Sequence, residues 1–329
     1  MTRQLRIEPD GVAVDVADHD TILQAARRGG VVLPYECGWG SCGACKVTLV
    51  HGQVDLMFPG APAVNPRDAG RNRILACQSR AISDVTIARG PGEWSAPAPR
   101  CIEQQAILLD VEDLAPEIRQ FSFETLEPIA FRPGQYAILH LGQDMRRCYS
   151  MSNLPGSRLL QFIAKRYDGG RGSNALAALA PGARLTVEAP FGVCTLRRQP
   201  GRKVFVAGGT GLAPILAMLR EAAAARLDFK APVDVLYGAR APADLAAGDM
   251  LASAVAWIPQ ARYLPVVEIA PGGWPHASGF VTDAITSTIA EPAAAEFYVA
   301  GPPVMVNAVK SLLRSADVPI TQVHYDSFG

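Results

Sequence analysis

The placement of four cysteines constrains this chain more than anything else in it. Cys37, Cys42 and Cys45 stand as C-x4-C-x2-C within Pro34-Tyr35-Glu36-Cys37-Gly38-Trp39-Gly40-Ser41-Cys42-Gly43-Ala44-Cys45-Lys46, and Cys77 follows in Ile74-Leu75-Ala76-Cys77-Gln78. Three thiolates from one loop and a fourth from downstream form the donor set of a [2Fe–2S] cluster. Such a loop must curl tightly, and Gly38, Gly40, Ser41, Gly43 and Ala44 between the ligands permit the curl. With so few side chains there, backbone N–H groups can face the sulfurs and tune the potential. Zinc is the competing reading, but it favours two paired short spacings, whereas Cys77 stands alone and a four-residue gap is unusual for zinc. A disulfide framework belongs to secreted chains, and nothing marks this one as secreted.

A length of 329 residues is enough for two or three domains. The chain carries 31 basic and 31 acidic residues, and residues 1–95 carry ten of each. No domain therefore projects a strong field, and nucleic acid is not an expected partner. No apolar run reaches the ~18 residues of a membrane span. Met1-Thr2-Arg3-Gln4 leads straight into a strand pattern rather than a signal peptide. Thiolate ligands suit a reducing compartment, so a cytoplasmic location without a membrane partner is expected. A monomer is the default expectation.

Alternating apolar positions predict a hairpin over Arg3–Glu8 and Val12–Val16 around Asp10-Gly11. A helix over Thr21–Arg28 with Asp20 as its N-cap follows, then the cysteine loop, strands over Lys46–Val50 and Val54–Leu56, and a closing strand over Asp84–Ala88. Pro- and Gly-rich residues 90–99 read as a linker. Beyond it, six short strand candidates between Gln104 and Glu188 predict an antiparallel barrel. From about Gly201 strands alternate with helices, as in a parallel α/β sheet. The expected division is 1–91, a linker at 92–100, 101–199 and 200–329.

Two further constellations carry chemistry. Arg147-Cys148-Tyr149-Ser150 reads R-x-Y-S: an arginine that can pair with a pyrophosphate, a planar phenol, and a hydroxyl. Arg132-Pro133-Gly134-Gln135-Tyr136 precedes it. Lys165-Arg166-Tyr167-Asp168-Gly169-Gly170-Arg171-Gly172-Ser173 follows, a glycine turn whose free N–H groups can hold an anion as it enters a helix. The second constellation, Val206-Ala207-Gly208-Gly209-Thr210-Gly211-Leu212-Ala213-Pro214, joins a strand to a helix but is not the G-x-G-x-x-G fingerprint. Cys101, Cys148 and Cys194 read as packed small residues.

These motifs resemble a known architecture along the whole chain. Residues 1 to about 90 are similar to a plant-type ferredoxin domain of β-grasp fold. The rest resembles the ferredoxin–NADP reductase superfamily: an antiparallel β-barrel flavin domain followed by an α/β parallel-sheet nucleotide-binding domain. The chain as a whole is thus multidomain, α+β and α/β. The resemblance implies Arg147, Tyr149, Ser150, Lys165, Gly170, Gly172 and Ser173 as flavin contacts, with Ser150 near the reactive N5. FAD is expected rather than FMN, because related FMN reductases usually carry their ferredoxin at the C-terminus. It further implies Gly208, Gly209, Thr210, Gly211, Gly238, Arg240, Gly301 and Pro302 as contacts of the nicotinamide nucleotide, with Thr210 close to the nicotinamide. NADH is expected, although Arg240 could meet a 2′-phosphate. In Ala300-Gly301-Pro302-Pro303-Val304-Met305 the family's usual cysteine is Ala300, while the loop-shaping glycine and proline remain. Near the end, Phe328 or Tyr325 would stack on the flavin, ordinary strand-end packing being the alternative.

A nicotinamide releases two electrons together and a [2Fe–2S] cluster accepts one, so a flavin must stand between them. The full-length resemblance is to one-chain reductase components of bacterial multicomponent oxygenases, in particular those serving aromatic-ring-hydroxylating dioxygenases. It implies a separate ferredoxin or a terminal oxygenase as partner. Reductases of diiron monooxygenases or of cytochromes P450 are the same-class alternatives. A redox sensor that holds its cofactors without turnover is the alternative from another class.

Overall fold

The alternation at the N-terminus folds as expected. β1 (Arg3–Glu8) pairs antiparallel with β2 (Val12–Val16) and turns Leu5, Ile7, Val14 and Val16 into the core. The computed structural model describes residues 3–35, 38, 40, 43–61, 63–90, 99–142 and 145–327. The chain divides into two units, Met1–Ile102 and Glu103–Gly329.

In the first unit α1 spans Ile22–Arg28, one residue shorter than its sequence pattern. Its N-cap is Thr21, not Asp20. Thr21 Oγ1 accepts from the Gln24 N–H at 3.2 Å and Gln24 Oε1 accepts from the Thr21 N–H at 2.8 Å, a reciprocal capping box. Asp20 instead accepts from the Ala17 N–H and pairs with Arg28. Then come β3 (Lys46–His51), β4 (Val54–Leu56), the short α2 (Pro66–Ala69), β5 (Arg73–Leu75), β6 (Ser79–Ala81) and β7 (Val85–Ala88). The sheet order is β2-β1-β7-β3-β5, with β1 and β7 parallel, and β4 pairs with β6 apart from it. This is a β-grasp sheet crossed by one helix. β5 and β6 are too short to show a period of two in the sequence, yet they hold the segment that carries Cys77.

The second unit opens with β8 (Ile102–Ala115), β9 (Ile118–Thr125), β10 (Tyr136–Gly142), β11 (Met145–Ser150), β12 (Leu159–Lys165), α3 (Arg171–Ala177) and β13 (Arg184–Phe191). Their order is β11-β10-β13-β8-β9-β12, and a bridge from Met151 to Phe162 joins the two edges. The barrel is thereby closed around Leu108, Phe123, Leu139, Phe162 and Val187.

The remainder alternates β14 (Arg202–Gly208), α4 (Leu212–Ala224), β15 (Val233–Ala239), α5 (Gly248–Val255), β16 (Ala261–Val267), β17 (Ala277–Ser278), α6 (Val281–Thr288), β18 (Ala295–Gly301), α7 (Pro303–Ser315) and β19 (Val323–Ser327). The strands are parallel in the order β17-β16-β15-β14-β18-β19. The chain runs outward from β14 and then returns to its other side as β18. That reversal opens a crevice at the carboxyl ends of β14 and β18. α5 begins at Gly248, after a separate turn over Pro242–Asp244. Ile118 and Ile163 of the barrel enter the core around α4, so barrel and sheet pack on each other while the barrel interior keeps a core of its own. Among the described residues no helix is long and apolar enough to cross a membrane.

Candidate redox sites

Cys77 rides on a single turn, Ala76–Gln78, between β5 and β6. Its Sγ lies 3.2 Å from that of Cys45, and both thiols are buried. The turn is tied to the cysteine loop at two points. The Ala76 N–H donates to the Cys45 carbonyl at 3.0 Å, and Gln78 Nε2 donates to the Gly38 carbonyl at 3.1 Å. Gly40 and Gly43 hold φ of +98° and +75°, the left-handed conformation the curl demands. Cys37 and Cys42 lie outside the described residues. Two converging buried thiols, brought from opposite ends of the motif, fit a thiolate-ligated cluster.

In the barrel, Arg147 and Tyr149 lie on β11 opposite Leu139 and Ala137 of β10. Tyr149 meets Phe162 edge-on, and burial pushes its phenol up to about 12. The Arg147 side chain runs over the start of α3: a Cβ on Gly172 would fall 2.6 Å from Arg147 Cγ. Glycine at 172 is what lets this guanidinium lie against the helix entry. Ser173 Oγ accepts from the Tyr167 N–H at 3.1 Å and donates to the Gly170 carbonyl at 3.2 Å, fixing the turn before the helix. A guanidinium beside a glycine turn with free N–H groups is the chemistry a pyrophosphate requires. Lys165 Nζ lies 5.8 Å from the ring centre of Tyr167.

Ser150 faces the opposite way from Arg147 and Tyr149. Its Oγ donates to Asp326 Oδ2 on β19 at 3.2 Å, across 176 positions of sequence, and both residues are buried. Asp326 is a site residue that sequence reasoning missed. Nothing local signals it; only the pairing of β19 with β18 brings it opposite the barrel. A second tie runs from Arg220 Nη1 on α4 to the Ser152 carbonyl at 2.8 Å. Tyr325, the neighbour of Asp326, takes the other face of β19. There Lys310 Nζ sits 3.6 Å from its ring centre and the ring packs on the core around α7. Of the two readings of Tyr325, strand-end packing is the one observed. Phe328 lies outside the described residues.

At the crevice, Gly208 ends β14, Gly209–Gly211 form one tight turn, and α4 begins. This turn is wedged against the end of β18. A Cβ on Gly211 would lie 2.0 Å from the Ala300 carbonyl oxygen, and one on Gly208 would lie 2.4 Å from Met305 Sδ. A Cβ on Gly301, at φ +151°, would lie 2.9 Å from the Gly208 carbonyl oxygen. Tyr237, buried on β15, donates its hydroxyl to the Gly209 carbonyl at 3.1 Å. Gly238 lies against Val281 of α6, and Arg240 is exposed just beyond β15. Ala300 is fully buried in the core beside α4.

Residues 5–81 match the 2Fe-2S iron-sulfur cluster binding domain, 105–195 the oxidoreductase FAD-binding domain and 205–311 the oxidoreductase NAD-binding domain. The chain is 35% identical to the ferredoxin–NAD(+) reductase component of the alkene monooxygenase system of Xanthobacter autotrophicus, over 97% of this chain and 98% of that one. It belongs to the ferredoxin–NAD(P)+ reductase components of oxygenase systems. A second relative of the reductase, the ferredoxin–NAD(P)(+) reductase CarAd of Metapseudomonas resinovorans, is 33% identical over 94% of each chain. The solved ferredoxin reductase in carbazole 1,9a-dioxygenase superposes with a TM-score of 0.86 at 30% identity, covering 100% of this chain and 99% of that one. The reductase is thus an NAD(P)H-dependent flavin and iron–sulfur oxidoreductase whose cofactors are [2Fe–2S], FAD and NADH.

Proposed function

We propose that this reductase carries electrons from NADH through FAD and the cluster to a ferredoxin or to the terminal oxygenase of an aromatic-ring-hydroxylating dioxygenase. The observation that carries the reading is the full-length likeness, near 100% of both chains, to the reductase in carbazole 1,9a-dioxygenase. Relatives named for naphthalene 1,2-dioxygenase and toluate 1,2-dioxygenase support it.

In this reading the domains run 1–91, 101–199 and 200–329 with a linker at 92–100. Cys37, Cys42, Cys45 and Cys77 hold the cluster. Arg147, Gly170, Gly172 and Ser173 hold the FAD pyrophosphate, and Tyr149 its planar ring system or ribityl chain. When bound, a flavin accepts a hydride and releases electrons singly, the conversion a one-electron cluster needs. Ser150 keeps its hydroxyl proton on Oγ, aimed at Asp326 Oδ2, which orients the hydroxyl at the seam between barrel and sheet. Gly208, Gly209, Thr210, Gly211, Gly301 and Pro302 line the nicotinamide crevice, with Gly238 and Arg240 toward the adenosine end. The protein is a monomer of the cytoplasm, where its thiols stay reduced.

Anaerobic addition of NADH to the purified reductase tests the electron path. Flavin and cluster absorption bleach together if the path is complete. Loss of the flavin bands with the cluster bands intact would break it at the second step, and a colourless zinc protein would overturn it altogether. Hydroxylation assays with purified oxygenase components then decide the partner. One observation favours a second reading, a monooxygenase partner: the alkene monooxygenase reductase is among the most similar relatives, and propane 2-monooxygenase reductases are similar over 97–99% of both chains.

A further inference from the structure

Three features hold the Gly208–Gly211 turn, and they are of different kinds. Gly208 and Gly211 are wedged by their own lack of side chains, against Met305 and against the Ala300 carbonyl. Gly209 is not wedged: its φ is +54°, and a Cβ there would meet nothing within 4 Å. Its carbonyl closes the turn with the Leu212 N–H and also accepts the Tyr237 hydroxyl at 3.1 Å. The Tyr237 ring is fully buried among Leu212, Ala246 and Leu251, and the Ala246 backbone also reaches the phenolic oxygen. Burial pushes the Tyr237 phenol far above its ordinary value, so it remains a neutral donor at any working pH.

We infer that Tyr237 is a positioning residue for binding of the nicotinamide nucleotide, its hydroxyl setting the orientation of the Gly209–Thr210 peptide. The peptide is planar and trans, so its C=O and N–H point in opposite directions. With the Gly209 carbonyl held toward the buried phenol, the Thr210 N–H is directed away from the core, to the crevice side. Without the hydroxyl the peptide at the unwedged glycine can rotate, and only a fraction of molecules then present the binding-competent turn. Apparent affinity falls by that fraction, while a bound complex reacts as before. This inference rests on reading the turn as the nicotinamide-nucleotide site.

The test is Tyr237→Phe in the FAD- and cluster-loaded protein, assayed with NADH and ferricyanide, alongside titration with NAD+. Loss of one buried hydrogen bond raises KM for NADH, and Kd for NAD+, about fivefold. Turnover at saturating NADH stays within about twofold, with FAD content and melting temperature unchanged. Tyr263→Phe is the control, because the buried Tyr263 hydroxyl has no hydrogen-bond partner among the described residues. It leaves KM where it was. A KM for Tyr237→Phe that does not move overturns the inference. So does a rise that comes with lost FAD, a lower melting temperature and an equal effect from Tyr263→Phe, since that pattern reports packing. Gly209→Ala separates the two levels of the reading by placing a methyl in the crevice. If it fails to raise KM, the turn is not the nucleotide site. If it raises KM and Tyr237→Phe does not, only the positioning role falls.

Discussion

The second unit contains two glycine turns that each enter a helix, and they use glycine for different reasons. At Gly172 the missing Cβ makes room for a side chain, Arg147, whose Cγ, Cδ and Nε would all lie within 3.1 Å of it. At Gly211 it makes room for backbone, the Ala300 carbonyl oxygen at 2.0 Å. A displaced arginine can swing aside; a displaced strand end cannot do so without disturbing β14 and β18. In the proposed reading the first glycine therefore serves binding, and the second serves the fold as well as binding. Sequence inspection treats the two turns alike, as runs of glycine before a helix.

Substitutions can break this comparison. Gly211→Ala has the largest expected effect: a methyl forced against backbone costs about 3 kcal/mol, seen as a lower melting temperature of the FAD-loaded protein. Arg147→Ala comes next and acts on binding alone. Removing a charge-assisted contact weakens FAD affinity by about 30-fold, roughly 2 kcal/mol, with the melting temperature of the apoprotein nearly unchanged. Gly172→Ala is smaller again, because the guanidinium can still reach the site from a shifted position. Flavin titration is expected to show about a tenfold loss of affinity without loss of fold. If Gly172→Ala instead unfolds the protein and Gly211→Ala does not, the assignment of the two glycines is reversed.

The smallest effect sharpens the comparison from outside both turns, at the other end of the parallel sheet. Lys203 is buried and pairs with Glu296, which also receives a hydrogen bond from His324 at 2.8 Å. Burial pushes the Glu296 carboxyl up, but the hydrogen bonds from His324 and Lys203 and the Lys203 charge outweigh it, bringing it from 4.5 to about 2. A carboxylate held below its unfolded value stabilises fully above that value and loses its contribution as pH falls toward the folded one. Acid denaturation is expected to draw on Glu296 between about pH 4.5 and about 2. Glu296→Gln flattens that limb of the stability curve while leaving FAD and NADH binding untouched.

Much of the fold was legible because its signals are local. β1 and β2 coincide with their apolar alternation, and the strand–helix alternation after Gly201 carries through to β19. The errors are also local in origin. At α1, both Asp20 and Thr21 are competent caps, and Gln24 decides for Thr21 by returning its hydrogen bond. The short β5, β6 and β17 carry too few residues for any periodicity to register.

The sequence by itself determined the chemistry on offer: four cysteines at cluster spacing, an R-x-Y-S strand and two glycine turns. Each lies within a dozen or so contiguous residues, apart from Cys77, where backbone geometry follows from residue type. Only the tertiary structure decided which distant groups meet. Ser150 reaches Asp326 because β19 completes the edge of the parallel sheet against the barrel. Tyr237 reaches Gly209 because β14 and β15 run side by side in register. Tyr325 turns to Lys310 rather than to the barrel because successive residues of a strand point to opposite faces, and Asp326 already occupies the face toward Ser150. Contacts of this kind depend on strand order and register, and long-range packing sets both.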